Sequence, residues 1–307
     1  MLIRSKMKRG WVVPTVEGTR FCWRFGDTRF EVDAACGARI TRFSIDGDDI
    51  LTGPDVNPLN FGSTLWTSPQ SQWGWPPPVA IDSLPYGAVP ADATGAAVRM
   101  MGQADAGLGI AVAKTFAADA GKDLVTIDYA LVNQGPEARR VAPWEISRHP
   151  TNGLTFFPAD GPSSAAGPGV GPVVDPRSNL AVVESAEAVW FDYHAPAITD
   201  HQKLFARGHH AEGWIAHVDR ARRLILVKTF APVEASRTAP GEAGIEIYAD
   251  PNHTYVEVEQ QGAFEPLPPG TTTHWSVTWR LRRLPRSIEI RVANPELLAT
   301  ARALAAE

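Results

Sequence analysis

The sequence predicts an all-β protein, built as a large antiparallel sandwich or barrel with a short C-terminal helix. Apolar and polar residues alternate along most of the chain, turn residues separate the alternating stretches, and one segment alone has a convincing helix start. The 307 residues, of which 44% are hydrophobic, are enough for a large core. No glycine pattern of a nucleotide-binding fold interrupts this series of strands.

The two ends of the chain differ from its middle. Residues 1–18 are predicted to be a flexible leader, in which four basic residues precede no apolar stretch of the kind that a signal peptide needs. Residues 19–307 are predicted to form a single domain. At the far end, Asn294 and Pro295 have the composition of a helix cap and first turn, so a helix is expected to continue to about residue 306.

The strands follow from period-two alternation between turns. The first clear hairpin joins residues 21–25 and 28–32 through Gly26 and Asp27. Further strands are predicted at 38–45, 124–132, 214–218, 224–230, 245–249, 255–260 and 274–281. In the last of these strands, the apolar residues alternate with polar ones and should point into the core: Trp275, Val277, Trp279 and Leu281.

Composition excludes several classes of partner. The net charge of −5 and the absence of a long basic track argue against nucleic acid. No stretch of 18 apolar residues is available to span a membrane, and a cytoplasmic location is expected. The two cysteines, Cys22 and Cys36, are interpreted as small core residues.

A histidine-rich stretch at residues 191–210 does not predict a metal site. His194, His201 and His209 are seven and eight positions apart, unlike the short pairs that bind zinc. We therefore expect no metal and no other cofactor.

The segment WTSPQSQWGWPPP, residues 66–78, places three tryptophans among prolines. Proline removes a backbone donor and restricts the residue before it, so loop or edge structure is expected here. The aromatic rings of Trp66, Trp73 and Trp75, with Gln70 and Gln72, would either cap the core or form the wall of a binding site.

Two strand segments carry candidate ionisable groups. In WEISRHPTNGLTFFP, residues 144–158, Glu145, Arg148 and His149 stand near a strand end, where a ligand reaches a sheet rim. In YVEVEQQGAFEPLPPG, residues 255–270, Glu257 and Glu259 share one strand face with Tyr255. A carboxylate among aromatic rings would have a raised pKa suited to base catalysis. Solvated surface charges remain the alternative for both segments.

These segments, in this order, resemble the galactose mutarotase-like superfamily over about residues 20 to 285. The resemblance implies the β-supersandwich fold of aldose 1-epimerases and hexose-6-phosphate mutarotases. Residues 61–78 resemble the tryptophan- and proline-rich segment that forms a wall of the sugar site in the hexose-6-phosphate mutarotase branch. The resemblance places His149 at the first histidine of the family, and Glu259 at its catalytic glutamate.

The resemblance implies an aldose 1-epimerase-like mutarotase that acts on a sugar or a sugar phosphate. Glu259 would take the proton from the anomeric hydroxyl while His149 or His194 protonates the ring oxygen. The residues expected to contact the sugar are Trp66, Gln70, Gln72, Trp73, Trp75, Glu145, Arg148, Lys203 and Glu257. The family's Tyr-Asp-His segment is altered here, at residues 191–194, so a carbohydrate-binding protein without catalysis is the alternative, and a structural module is a third. The sequence leaves the oligomeric state open.

Overall fold

Two antiparallel sheets make up the fold. The computed structural model describes residues 10–159, 171–174, 180–185, 187–193, 202–207 and 212–307, with the backbone alone at 171–174 and 207. In this part of the chain, 23 strands, numbered in chain order, divide between a back sheet of 11 and a front sheet of 12. All the strand pairs are antiparallel.

The back sheet contains, in spatial order, β15 (Val182–Glu184), β16 (Ala188–Asp192), β13 (Gly153–Pro158), β18 (Trp214–Asp219), β19 (Leu224–Phe230), β23 (Thr272–Arg283), β11 (Leu124–Asn133), β10 (Ile110–Asp119), β9 (Val98–Met101) and β8 (Gly87–Pro90), with β1 (Trp11–Val12) on β10.

The front sheet contains, in the same manner, β14 (Gly171–Val174), β17 (Gln202–Arg207), β20 (Ile245–Ala249), β21 (Val256–Gln261), β12 (Arg139–His149), β7 (Ser63–Ser68), β5 (Arg39–Ile45), β4 (Thr28–Asp33), β3 (Arg20–Phe25) and β2 (Thr15–Glu17), with β22 (Glu265–Leu267) on β12 and β6 (Asp48–Asp49) on β5. Two α-helices, α1 (Val79–Asp82) and α2 (Pro295–Ala306), and two 3₁₀ turns, Gln70–Gln72 and Ala235–Arg237, complete the described elements.

The inner faces of the two sheets form the main core. Rings from both sheets meet there: Phe43 of β5 lies 5.9 Å from Trp279 of β23, and Phe30 of β4 lies 6.1 Å from Phe116 of β10. Burial of such rings supplies the main stabilisation of a sandwich. The predicted core residues of the strand at 274–281 are all buried, as their alternation requires. The predicted all-β antiparallel fold is confirmed.

Helix α2 covers part of the outer face of the back sheet. Its apolar residues pack against Phe156, Trp190 and Trp214. The Asn294 side chain caps the helix by accepting from the backbone N–H groups of Glu296 and Leu297. The predicted helix and its cap are both present.

Two segments differ from what the sequence predicts. Within the expected flexible leader, residues 11–12 pair with β10 and residues 15–17 pair with β3, so this half of it is part of the sheets. Trp66 lies in β7, a buried strand between β5 and β12, rather than in a loop. The irregular part of that segment begins only at Pro69, because β7 ends at Ser68.

The description of residues 19–307 as one domain stays a prediction.

No helix in the described ranges is long and apolar enough to cross a membrane.

Candidate functional site

Alternation along β12 divides its side chains between the two faces of the front sheet. Glu145 accepts hydrogen bonds from the Tyr129 hydroxyl and the Trp279 indole, which both belong to the back sheet. Glu145 therefore points inward, and His149, four residues further on, shares that inner face. Arg148 consequently points to the opposite face, which we call the outer face of the front sheet.

The outer face holds a pocket of about 520 Å³, which we call the tryptophan pocket. Five neighbouring strands and the loops beside them supply its side chains. The pocket is lined by Asn60, Trp66, Gln70, Trp75, Trp144, Lys203, Phe205, Gly241, Glu242, Tyr248, Tyr255 and Glu257.

Tryptophan rings form one wall of the pocket. The Trp66 ring lies 5.5 Å from Trp144 and 6.0 Å from Trp75, in edge-to-face arrangements. Trp73 packs behind them, 5.7 Å from Trp66, and its indole N–H donates to the Thr67 carbonyl. Trp75 is 62% exposed, so its ring is available to a ligand. Flat apolar faces of this kind suit the C–H face of a sugar ring.

A buried lysine joins two carboxylates in the floor of the pocket. The Lys203 ammonium lies 2.9 Å from both oxygens of Glu259 and 2.8 Å from Glu246. The Trp144 indole also donates to Glu259, which is 0% exposed. Burial alone would lower the pKa of Lys203, but the two carboxylates raise it above its ordinary value. Burial raises the pKa of Glu246 to about 8, although Lys203 lies beside it.

Glu257 is the carboxylate of β21 that lines the pocket. Its Oε1 accepts from the Arg148 Nε at 2.8 Å, and burial raises the pKa of Glu257 above its ordinary value although Arg148 opposes this. The Arg148 guanidinium is 0% exposed and stacks over the Trp66 ring at 5.1 Å. Glu257 therefore combines access to the pocket with a raised pKa, which suits a general base.

Two tyrosines stand beside Glu257. Tyr248 is its cross-strand partner, and Tyr255 precedes it by two residues on the same strand side. The Tyr255 hydroxyl accepts from the Asn60 amide at 3.2 Å. Burial raises the pKa of Tyr255, so the phenol keeps its proton at neutral pH and remains a hydrogen-bond donor.

His149 lies in a buried polar cluster on the inner face. Its Nδ1 donates to the Ile50 carbonyl at 2.9 Å, and its Nε2 accepts from the Ser147 hydroxyl at 2.7 Å. The ring stacks on His217 at 4.3 Å. Burial, with His217 and Lys228 nearby, holds the pKa of His149 well below its usual range. The ring is therefore neutral and faces away from the tryptophan pocket.

The structure thus brings together some of the sequence-predicted site residues and separates others. Five of them line the pocket: Trp66, Gln70, Trp75, Lys203 and Glu257. Three more lie behind or beneath the lining on the same side: Trp73, Arg148 and Glu259. Glu145 and His149 lie on the inner face, and the Gln72 amide donates to the Arg140 carbonyl, outside the lining. His194 lies outside the described residues.

Seven lining residues are not among the predicted sugar contacts: Asn60, Trp144, Phe205, Gly241, Glu242, Tyr248 and Tyr255. Trp144 had a usable signal, because it is four residues from Arg148 on one strand and therefore shares its face. Glu242 had none, since it comes before β20 in a loop whose position depends on the folded sheet.

A second cleft, of about 620 Å³, lies beside β4 and β5. Four of its charged residues form two pairs: Arg20 lies 3.7 Å from Asp33, and Arg42 lies 3.7 Å from Asp49. Burial raises the pKa of Asp49 to about 6. No tryptophan lines this cleft, so the tryptophan pocket is the better candidate for a sugar.

Metal ligands do not cluster in the part of the chain that the structure describes, where no group of three or more His, Cys, Asp or Glu side chains is arranged to hold an ion. His194, His201 and His209 lie outside it. The expectation of no metal stays a prediction.

Comparison with known proteins gives the fold its name. No protein-family model matches the sequence, and neither does any curated protein. Among solved structures, a galactose mutarotase-like protein from Lactobacillus casei ATCC 334 is 10% identical, with a TM-score of 0.57 over 86% of this chain and 100% of that one. A galactose mutarotase-like protein from Clostridium acetobutylicum is 8% identical, with a TM-score of 0.53 over 90% and 99%.

A third structural match is longer than this chain. It is a TPR-domain containing protein from Parabacteroides distasonis, 13% identical, with a TM-score of 0.58 over 89% of this chain and 49% of that one. At such low identity these likenesses show the fold alone. The fold is galactose mutarotase-like, as the sequence resemblance implies.

Proposed function

We propose, proceeding from the galactose mutarotase-like fold, that this protein binds an aldose in the tryptophan pocket and interconverts its anomers. The observation that carries the proposal is the pocket itself, which sets a carboxylate of raised pKa, Glu257, among tryptophan and tyrosine rings. A pyranose needs both flat apolar surface and polar groups that bind its hydroxyls. A cytoplasmic location belongs to the same proposal.

Glu257 is the general base in this proposal, in place of Glu259. The Glu259 carboxylate is already bound by Lys203 and by the Trp144 indole, so a proton would have to displace these contacts. Glu257 instead faces the pocket and would accept the proton of the anomeric hydroxyl. The bond between the anomeric carbon and the ring oxygen then breaks and leaves an open-chain aldehyde. The aldehyde group rotates about its bond to the neighbouring carbon, and the ring oxygen adds to its other face.

The ring oxygen must gain a proton as that bond breaks. His149 is unsuited, because its neutral ring is held on the inner face. The candidate donors are His194, predicted from the sequence, and two tyrosines that line the pocket, Tyr248 and Tyr255. Replacing each in turn, by His194→Gln, Tyr248→Phe and Tyr255→Phe, separates the three.

A second candidate function is sugar binding without catalysis. It is favoured by the separation of His149 and Glu259 on opposite faces of the front sheet, since the expected acid and base do not meet. The aromatic wall would serve a binding protein equally well.

The deciding experiment follows anomer interconversion by NMR for a panel of aldoses and their phosphate esters, with binding measured by calorimetry. We expect acceleration for at least one sugar, and a loss of about a hundredfold or more in Glu257→Gln with binding retained. Binding without acceleration would establish the second candidate. Equal rates in Glu257→Gln and wild type would remove Glu257 from the mechanism.

A further inference from the structure

The charges around the tryptophan pocket are unevenly balanced. Among the lining residues that the structure describes, Lys203 is the only cation, and Glu242 and Glu257 are carboxylates. Two further carboxylates, Glu246 and Glu259, lie directly beneath them.

The Lys203 ammonium is already paired with carboxyl groups of the protein. It is in contact with two carboxylates at 2.8 and 2.9 Å and lies over the Trp144 ring at 5.1 Å. An anion entering the pocket would have to share this cation with Glu246 and Glu259. The lysine therefore neutralises the floor of the pocket and does not make it positive.

Arg148 is likewise paired with a carboxylate of the protein, that of Glu257. Its Nε donates to Glu257, and its side chain is wholly buried against Trp66. Its Nη1 and Nη2 have no hydrogen-bond partner, but both atoms are shielded from solvent. A ligand in the pocket meets the Glu257 carboxylate and not the guanidinium.

Glu242 adds a carboxylate at the mouth of the pocket. It is partly exposed, and its Oε1 accepts from the backbone N–H of Gln70 at 3.0 Å. No described cation pairs with Glu242 in the lining. The described charged groups at the pocket thus comprise two buried cations and four carboxyl groups. Glu246, whose pKa is raised to about 8, is largely protonated at neutral pH, so three carboxylates face two cations and a phosphate dianion would meet net repulsion.

We infer that the tryptophan pocket selects aldoses that carry no negative charge and rejects their phosphate esters. This inference rests on the proposed function and names its substrate class. Repulsion between the carboxylates and a phosphate supplies the discrimination, and the aromatic wall supplies affinity that does not depend on the charge of the ligand.

The test is a charge series on one sugar ring: D-glucosamine, D-glucose, D-glucuronate and D-glucose 6-phosphate, with the galactose counterparts. Dissociation constants are measured by calorimetry at low salt and again at 0.5 M NaCl. We expect binding to weaken as negative charge increases, with the phosphate ester at least about tenfold weaker than the neutral sugar, and less discrimination at high salt.

Two matched variants locate the effect. Glu242→Gln keeps the acceptor for the Gln70 N–H. It should reduce the ratio between the dissociation constants of the phosphate ester and the neutral sugar several-fold. Glu184→Gln, an exposed carboxylate on the back sheet, should leave the ratio unchanged.

Each outcome bears on a separate claim. Phosphate esters that bind as tightly as neutral sugars, or more tightly, overturn the inference and leave the proposed function standing. If no sugar of either charge binds, the proposed function fails and the inference fails with it. An unchanged ratio in Glu242→Gln overturns the electrostatic origin that we assign to the selection.

Discussion

Two glutamates of strand β21 have different surroundings because their partners come from different, distant parts of the sequence. Glu257 and Glu259 share the outer face of the front sheet, yet Glu259 is held by Lys203 and Glu257 by Arg148. Lys203 leaves its partner wholly buried, whereas Arg148 lies beneath Glu257 and leaves that carboxylate at the pocket surface. We therefore regard Arg148 as a positioning residue for Glu257.

Replacing Arg148 by Met should raise the pKa of Glu257 further, because burial then acts without the opposing cation. The titration of the Glu257 carboxyl, followed by carbon NMR, should move to higher pH, and the acid limb of any anomerase activity should move with it. Arg148→Lys keeps a cation and should shift the titration less. An unchanged Glu257 titration in a folded Arg148→Met protein would contradict this role.

Replacing Lys203 should lower the free energy of unfolding far more than replacing Glu246. Lys203→Met leaves the Glu259 carboxylate buried without its cation, which we expect to lower the free energy of unfolding by about 3–5 kcal/mol at pH 7. Glu246→Gln should cost clearly less, since the pKa of about 8 means that Glu246 is already largely protonated at that pH. Urea denaturation of both variants gives the comparison, and equal losses would show that Glu259 does not depend on the lysine.

At the scale of the elements, period-two alternation accounts for what the sequence could predict. It assigned the buried face of the strand at 274–281, and it placed Glu257 with Glu259. It also implies that adjacent residues such as Arg148 and His149 point to opposite faces, so both could not belong to one pocket. Alternation does not say which face becomes the pocket. That choice depends on contacts with the back sheet, such as Tyr129 with Glu145, which join distant parts of the chain.

Helix α2, which covers part of the outer face of the back sheet, is capped by one residue, Asn294. Asn294 accepts from the first turn of the helix and donates from its amide to the Glu289 carbonyl. Asn294→Ala loses both contacts and should lower the free energy of unfolding by about 1 kcal/mol. Asn294→Asp keeps the acceptor and should lose less. Thermal or urea denaturation checks the order, and an Asp variant as unstable as the Ala variant would contradict it.

For the whole molecule, the inner polar cluster makes stability depend on pH. Burial lowers the pKa of His217 to about 3, and that of His149 also lies well below its usual range. The folded protein thus keeps both rings neutral, while the unfolded chain binds protons below about pH 6.5. Each histidine contributes stability that is present above about pH 6.5 and is lost as the pH falls towards its folded pKa.

This dependence is measurable by urea denaturation between pH 7.5 and 4.5. Each histidine should contribute a slope of up to about 1.4 kcal/mol per pH unit below pH 6. His217→Phe keeps a ring against His149 but cannot bind a proton, so its stability should fall less steeply with acid. Parallel pH profiles for wild type and His217→Phe would mean that this histidine is not responsible.

The exposure of Trp75 gives the protein an optical reporter of its own. All ten tryptophans lie in the described ranges, and Trp75 is the one that is largely exposed, at 62%. Its emission should therefore be the most accessible to a collisional quencher such as acrylamide, while the buried indoles are shielded. A sugar that stacks on the Trp75 ring should reduce quenching, and Trp75→Phe should remove this ligand-dependent change. Fluorescence thus detects occupancy of the pocket whether or not any bond is broken there.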